Sequence, residues 1–375
     1  MRLVVVVGPG LVADTAVLKS LTTTTCAELG VAGRLVTANA PDDVRSLVAA
    51  ADSPLVVLPG PTPEVRALMG AVPHVVWYDL TVESPVAGAA HLHGRGVWGL
   101  AWAIRHAVHR LRSPAARIAY GPHPDQWGEL RLPAGTSEDR APVAVLLHGG
   151  FWRSVWAADL MDALAVDLAD SGYASWNLEY RRPDRHGWDA TTTDVAAGIA
   201  ALAGVADDRP LDLERVAVFG HSAGGQLALR VAGDLAAASA AGNRDVTVGP
   251  ERTVSAVALA VSLAGVLDLA EGERRQLGEG AISTALGGTP ATAWRRYAAS
   301  DPIARVPLGL PTLVVQGADD SLDLVDINRR YAVAARAAGD DISYLEQPGN
   351  HFDVIDPGSA IWRATMAAVD RRFGR

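Results

Sequence analysis

Short runs of apolar residues alternate with longer stretches rich in alanine and leucine along most of the chain. The runs are continuous and bounded by Gly and Pro, which is typical of strands buried on both faces of a parallel sheet. Helical stretches between such strands indicate βαβ units and an α/β fold. The pattern predicts strands at residues 3–7, 55–58, 75–78, 143–147, 174–178, 216–219, 256–263, 312–315 and 342–345.

A boundary between two domains is predicted in the segment "RLRSPAAR", residues 110–117. The predicted helix "WGLAWAIRHAVHR", residues 98–110, ends in basic residues, and Pro114 follows within the segment. Basic residues suit the last turn of a helix, and proline suits the break beyond it. We therefore expect one α/β domain over residues 1–112 and a larger one over 117–375. Residues 128–147 read as a β-hairpin, with two strands joined by a polar, Gly-containing turn.

Charge and cysteine content narrow the class of protein. The 375 residues carry a net charge of −9, which argues against nucleic acid or an anionic membrane surface as a partner. The one cysteine, Cys26, cannot form an internal disulfide. The apolar start of the chain is too short for a signal peptide, and no apolar run reaches the ~18 residues of a membrane span. We expect a cytoplasmic protein.

The segment Gly220-His221-Ser222-Ala223-Gly224 fits the G-x-S-x-G pattern. It follows a predicted strand and opens a predicted helix, which is the context of a nucleophile elbow. In an elbow the serine occupies a tight strand-to-helix turn, and side chains at the two flanking glycines would clash with neighbouring backbone. The positive end of the helix then faces the charge that develops on the substrate. The alternative is a Gly-rich helix start with Ser222 as its N-cap.

A second glycine pair follows an earlier strand, in the segment "LLHGGFW" at residues 146–152. Such HGG loops supply main-chain N–H groups to an oxyanion hole. The predicted donors are the N–H of Gly150 or of Phe151, together with that of Ala223. A tight glycine turn beside a buried His148 is the alternative, although both motifs stand in the expected order within one domain.

A serine nucleophile needs a base, and the base needs a carboxylate that holds its tautomer. In this fold the chain order is serine, acid, histidine. Asp319 and Asp320 follow one late strand, and His351 follows the next. Asp320 is the predicted acid and His351 the predicted base, with Asp319 and then Asp268 as less favoured acids. No group of residues has metal-ligand spacing, so neither a metal nor a cofactor is predicted.

Several ordered blocks, among them "HGGFWR", "WNLEYRR", "GHSAGG", "VVQGADD" and "GNHFDVIDP", resemble the α/β-hydrolases of the kynurenine formamidase and carboxylesterase kind. The resemblance covers residues 117–375. It implies a cofactor-free acyl hydrolase with Ser222 as nucleophile, Asp320 as acid and His351 as base. Asp323-Leu324 stands where many members have Val-Pro, which leaves the substrate open: a small ester or amide, an arylformamide, or a lactone or cyclic amide.

Aromatic residues fall in or after the loops near the predicted strand ends, and residues 269–300 are expected to form an insertion over the site. Aromatic walls would suit an aryl or acyl group. Packing inside the core is an equally weighted alternative. The residues predicted to line the substrate pocket are Phe151, Trp152, Trp156 and Trp188, with Trp176 as a further candidate.

The first 112 residues contain "VVVVGPGLV" and "VVLPGPTPEV", whose order and spacing resemble type II dehydroquinase, a flavodoxin-like domain. Leu58 stands where that family carries Asn, and neither Arg nor Tyr occurs between Gly8 and Gly33. The resemblance therefore implies the fold without the dehydratase activity. We expect a domain that assembles a homo-oligomer or regulates the hydrolase. A two-domain protein that senses a metabolite is the alternative from another class.

Overall fold

The structure, a computed structural model, describes residues 1–135, 140–241, 254 and 257–375. The chain divides into two compact units, Met1–Ala115 and Ala116–Arg375. In the part of the chain that the structure describes, no helix combines the length and the apolar character needed to cross a bilayer.

The first unit is built on a five-stranded sheet in the order β2-β1-β3-β4-β5, with all neighbouring strands parallel. This is the flavodoxin-like order, so the predicted fold class is confirmed. Successive residues of β1 point to opposite faces of the sheet. Val5 packs in the cluster that contains Ile104, and Val6 packs in the cluster on the other face, which contains Val44. The elements are β1 Arg2–Val7, α1 Thr15–Glu28, β2 Ala32–Thr37, α2 Pro41–Ala49, β3 Leu55–Leu58, α3 Pro63–Arg66, β4 Val75–Asp79, β5 His91–His93 and α4 Gly99–Arg112.

The second unit is built on an eight-stranded sheet in the order β13-β12-β11-β10-β8-β9-β7-β6. Strand β7 runs antiparallel to β6 and β9, and all other neighbours are parallel. The elements are β6 Ala116–Ala119, β7 Trp127–Arg131, β8 Ala141–Leu147, α5 Asp162–Asp170, β9 Ala174–Leu178, α6 Pro183–His186, α7 Trp188–Ala200, α8 Leu202–Asp208, β10 Leu211–His221, α9 Ala223–Ala240, β11 Leu259–Leu263, α10 Leu269–Arg274, α11 Ala281–Leu286, α12 Trp294–Ser300, β12 Thr312–Gly317, α13 Leu322–Ala337, β13 Ile342–Gln347 and α14 Ala360–Phe373.

The predicted hairpin over residues 128–147 is wrong. Strand β9 lies between β7 and β8, and it pairs with β7 antiparallel and with β8 parallel. Strand β9 is buried along its whole length, so its main-chain N–H and C=O groups need a partner strand on each side. The polar connection between β7 and β8 therefore does not show that these two strands pair with each other. The hairpin in this region joins β6 to β7 instead. Part of the expected turn, residues 136–139, and the predicted strand start at residue 256 lie outside the described residues.

Candidate active site

Ser222 occupies the single position between β10 and α9, with φ 55° and ψ −119°. A residue other than Gly held in such a conformation costs about 1–3 kcal/mol, which neighbouring contacts must offset. The Ser222 N–H donates to the Leu263 carbonyl on the adjacent strand at 2.9 Å, and the Ser222 carbonyl accepts the Gly225 N–H at 2.9 Å. The Ser222 side chain makes no capping hydrogen bond to α9. The geometry is therefore that of an elbow and not of a helix N-cap.

The glycines that flank the elbow are required by close backbone contacts. A Cβ atom at Gly220 would lie 2.0 Å from the Gly224 carbonyl oxygen. A Cβ atom at Gly224 would lie 2.2 Å from the Leu147 carbonyl oxygen and 2.5 Å from that of His148. The first contact is between the end of β10 and the start of α9, and the second is between α9 and the end of β8. The clash predicted from the sequence is thus present on both sides of Ser222.

We expect Gly224→Ala to destabilise the protein by about 2 kcal/mol or more, because backbone atoms cannot move aside as a flexible side chain can. Gly204→Ala on α8 is the matched control, since no atom lies within 4 Å of the added methyl group there. That control should be neutral or stabilise by up to about 1 kcal/mol. Urea unfolding of both variants measures the difference, and equal stabilities would contradict the packing described here.

The HGG loop lies directly against the elbow. A Cβ atom at Gly149 would come within 2.6 Å of the His221 carbonyl oxygen and 2.9 Å of the Ser222 Cβ. The next three residues all have positive φ: 102° at Gly150, 51° at Phe151 and 55° at Trp152. Two of these residues carry side chains that disfavour this region, so the turn is held by its surroundings. The oxyanion role of the N–H groups of Gly150, Phe151 and Ala223 stays a prediction.

Asp320 and His351 form a hydrogen-bonded pair, with 2.7 Å between Asp320 Oδ2 and His351 Nδ1. The same carboxylate accepts the Ser321 N–H at 2.6 Å and the Gln316 side-chain amide at 3.1 Å. Burial alone would raise the pKa of Asp320, but the hydrogen bond and charge of His351, with these N–H donors, hold it below its usual value. Asp320 is therefore an ionised acceptor that fixes the His351 ring with Nδ1 protonated.

The two less favoured acids are engaged elsewhere. Asp319 Oδ2 accepts the Gly349 N–H at 2.9 Å and so ties together the loops that carry Asp320 and His351. Asp268 caps the start of α10 by accepting the Glu271 N–H, and it pairs with Arg330 at 2.9 Å.

His221, the residue before Ser222, contacts His351 and so places Ser222 near the Asp320–His351 pair. The ring of His221 is 4.7 Å from the ring of His351, centroid to centroid, and its Nε2 is 3.0 Å from the His351 carbonyl oxygen. The structure thus joins acid and base directly and brings the elbow beside them. The direct hydrogen bond from Ser222 Oγ to His351 stays a prediction, and catalytic hydrogen bonds of this kind often tighten only when substrate binds.

A buried charged cluster stands behind the HGG loop. Glu179 Oε1 lies 3.2 Å from His148 Nε2 and also contacts the Arg182 guanidinium, while Glu179 Oε2 accepts the Ala158 N–H at 2.9 Å. Burial alone would raise the pKa of Glu179, but the charges of Arg182 and His148 hold it at about 2. The Tyr180 ring stacks on His148 at 4.4 Å. This cluster fixes the side chain that opens the HGG loop.

The sequence did not identify the cluster as a unit, although all of its members except His148 and Ala158 lie in the quoted block "WNLEYRR". The available signal was the run of charged residues, interrupted by one tyrosine, directly after β9.

The aromatic candidates divide by burial. Trp152 and Trp188 are 1% and 2% exposed and pack edge to face in the core, so core packing accounts for both. Trp176 lies inside β9, not in a loop, and its indole N–H donates to the Gly198 carbonyl. Phe151 and Trp156 are half-buried. These two are the aromatic side chains that remain candidates for contact with a substrate.

The predicted insertion contains α10, α11 and α12 and reaches the HGG loop. Arg153 donates to the Gly278 carbonyl at 2.9 Å, and a Cβ atom at Gly278 would lie 2.6 Å from the Phe151 ring. Phe151 thus packs under the connection between α10 and α11.

One possible ligand group was not predicted from the sequence, because its third member lies about 60 residues beyond the other two. Ligand atoms of His123, Asp125 and His186 lie within 4.8 Å of one another. Asp125 already pairs with Arg182 at 3.3 Å, and His123 Nδ1 accepts the Asp125 N–H at 3.1 Å. The positive charge of Arg182 beside Asp125 opposes a cation at this position, so we assign no metal to this group.

Comparison with known proteins gives the family. The sequence profile of the BD-FAE family matches residues 129–333, which is more than half of the chain. The chain belongs to the BD-FAE family. The matched segment contains Ser222 and Asp320, whereas His351 lies beyond it.

Two relatives of this BD-FAE member are Esterase LipC and Esterase LipQ of Mycobacterium tuberculosis. LipC is 28% identical over 264 residues, which are 68% of this chain and 63% of LipC. LipQ is 27% identical over 274 residues, which are 69% of this chain and 61% of LipQ. The alignments thus span less than two thirds of the length of either relative.

Solved structures show the same α/β-hydrolase fold. Esterase B of Lactobacillus rhamnosis has a TM-score of 0.58 and 20% identity, and the match covers 72% of this chain and 91% of that one. Esterase Est2 of Thermogutta terrifontis has a TM-score of 0.52 and 22% identity, covering 68% and 90%.

Proposed function

We propose that the chain is a serine hydrolase that cleaves a small carboxylic ester through an acyl-enzyme on Ser222. The observation that carries the proposal is the strained Ser222 at the elbow, packed against the HGG loop and beside the Asp320–His351 pair. The esterase names of the relatives favour an ester over the amide, formamide or lactone that the sequence left open.

The proposed reaction has two halves. His351 Nε2 takes the Ser222 proton as Oγ attacks the ester carbonyl, while Asp320 accepts the Nδ1–H and stabilises the imidazolium. The oxyanion is stabilised by the N–H of Ala223 and that of Gly150 or Phe151. The C–O bond to the alcohol then breaks, and His351 returns its proton to the departing oxygen. A water molecule, activated by the same histidine, hydrolyses the acyl-enzyme and restores the serine.

A panel of p-nitrophenyl esters with acyl chains of increasing length, together with a benzoate ester, a formamide, a lactone and a phosphate monoester, tests this function. We expect turnover of the carboxylic esters and covalent labelling of Ser222 by a fluorophosphonate. Phe151 and Trp156 supply the apolar contact that favours a short acyl or aryl group. Turnover of the phosphate monoester alone, with no labelling, would refute the proposal.

For the first unit we propose assembly as its role. Trp102 and Ile104 of α4 are core residues, 9% and 0% exposed, whereas Trp98 remains 47% exposed. A large aromatic residue at the surface suits a contact between copies.

We therefore expect light scattering of the full chain at micromolar concentration to give a mass of at least twice the 39.2 kDa of one chain. We also expect no dehydration of dehydroquinate, because Leu58 is fully buried where the reaction needs a polar group. A monomeric mass would contradict the assembly role, and dehydration of dehydroquinate would contradict the loss of that activity.

A further inference from the structure

His221, the residue before the serine nucleophile, makes contacts that neither the G-x-S-x-G pattern nor the three-residue triad explains. In that pattern the position is occupied by any residue. Here the side chain is 1% exposed and turned towards the loop that carries the base. Its ring lies 4.7 Å from that of His351 and 5.8 Å from that of Phe352. The side chain therefore connects strand β10 to the loop that follows β13.

The hydrogen bond fixes the tautomer of His221. Its partner at 3.0 Å is the main-chain carbonyl oxygen of His351, which can only accept, so Nε2 must carry the proton. The other ring nitrogen, Nδ1, is buried with no hydrogen-bond partner among the described residues. A Cβ atom at Gly149 would lie 3.1 Å from Nδ1, so the HGG loop closes over that side of the ring.

The ring is also uncharged. Burial, followed by the charge of His351, lowers the pKa of His221 to about 3. The other titratable groups that act on it are Asp320, which favours the charged form, and His148, which opposes it. A second positive charge beside His351 would disfavour the imidazolium that forms during catalysis. A neutral donor at this position holds the loop without that penalty.

We propose that His221 is a positioning residue, which anchors the main chain of His351 to the nucleophile strand and so sets the distance between base and serine. The inference rests on the proposed function. Asp320 holds the His351 ring, and His221 holds the His351 backbone. Because the ring and the backbone of His351 are both fixed, the direction of its Nε2 atom is fixed as well.

The test compares His221→Leu, which removes the donor, with His221→Gln, which keeps a side-chain N–H. His186→Gln, at an exposed histidine of the same unit, is the control. We expect His221→Leu to lower kcat about 10- to 100-fold, since a displacement of about 1 Å at a reacting group costs up to about 10²-fold. KM should change by less than about twofold, because substrate contacts are retained. His221→Gln should recover most of kcat.

Unchanged kcat in His221→Leu would overturn the proposal. So would an equal loss in both variants accompanied by lower melting temperatures, because that outcome describes a packing residue. Thermal unfolding is therefore measured alongside the kinetics.

A second measurement does not depend on turnover. In protein labelled with ¹⁵N-histidine, the side-chain NMR spectrum should show His221 as the Nε2–H tautomer, neutral down to pH 5. The resonances of His351 should shift in His221→Leu and much less in His221→Gln. A His221 that titrates near pH 6, or His351 resonances that are indifferent to both variants, would contradict the anchoring role. If the wild-type protein hydrolyses no ester, the proposed function fails while these spectra still decide the hydrogen bond.

Discussion

Ser222→Ala should lower kcat by about 10⁴- to 10⁶-fold, because nucleophile, base and acid act as a unit and the remaining residues cannot replace the attacking oxygen. The fold should be retained, since the Ser222 side chain makes no capping hydrogen bond and the strained backbone is held by main-chain contacts. Ser239→Ala, at an exposed position near the end of the same helix α9, is the matched control. Steady-state kinetics on the best ester of the panel gives the ratio.

Fluorophosphonate labelling provides the independent readout for this variant. The wild-type protein and Ser239→Ala should be labelled, and Ser222→Ala should not. Undiminished turnover in Ser222→Ala, or labelling at another residue with normal kinetics, would remove Ser222 from the mechanism.

Asp320→Asn should lower kcat by about 10³- to 10⁴-fold, because an amide can present its NH₂ group to His351 and so favour the wrong tautomer. Asp319→Asn changes the neighbouring carboxylate, which accepts a main-chain N–H from Gly349 and does not contact the base. An amide oxygen can still accept that bond, so kcat should fall by less than about tenfold. The two variants therefore distinguish the carboxylate that binds the base from the neighbouring carboxylate that joins two loops.

The same kinetic assay on both variants decides between the two acids. A larger loss in Asp319→Asn than in Asp320→Asn would reverse the assignment. Melting temperatures are needed as a control, because Asp319 joins two loops and its loss affects stability as well as geometry.

The sequence predicted some strands with their bounds and missed others. Strands β3 and β9 were predicted with the bounds that the structure shows. Strand β3 is a continuous apolar run, and β9 alternates apolar with polar residues between loop segments. Strand β2 is an edge strand with mostly exposed or half-buried residues, and β5 has three residues, two of them histidine. Neither carries an apolar run. Pairing was harder still, because sequence adjacency suggested a hairpin where β9 intervenes.

For the site, the chain order of Ser222, Asp320 and His351 was enough to propose the triad, and the structure pairs the last two. Asp320 could be preferred over Asp319 only by its position beyond the strand, and the hydrogen bond supplies the physical reason. His221 and Glu179 act through contacts with residues distant in the chain. No local spacing reveals such contacts, so sequence reasoning passed over both.

The position of β9 between β7 and β8 has a consequence for biosynthesis. The ribosome completes the β6–β7 hairpin and β8 before it makes β9. During that time β7 and β8 both lack the strand that lies between them in the folded sheet. At roughly 5–20 residues per second, residues 132–173 between β7 and β9 take several seconds to emerge. Throughout that interval β7 presents an unpaired edge, the kind of surface on which nascent chains aggregate. Slower translation between β7 and β9 would lengthen the exposure, so the yield of soluble protein should fall when translation of this segment is slowed.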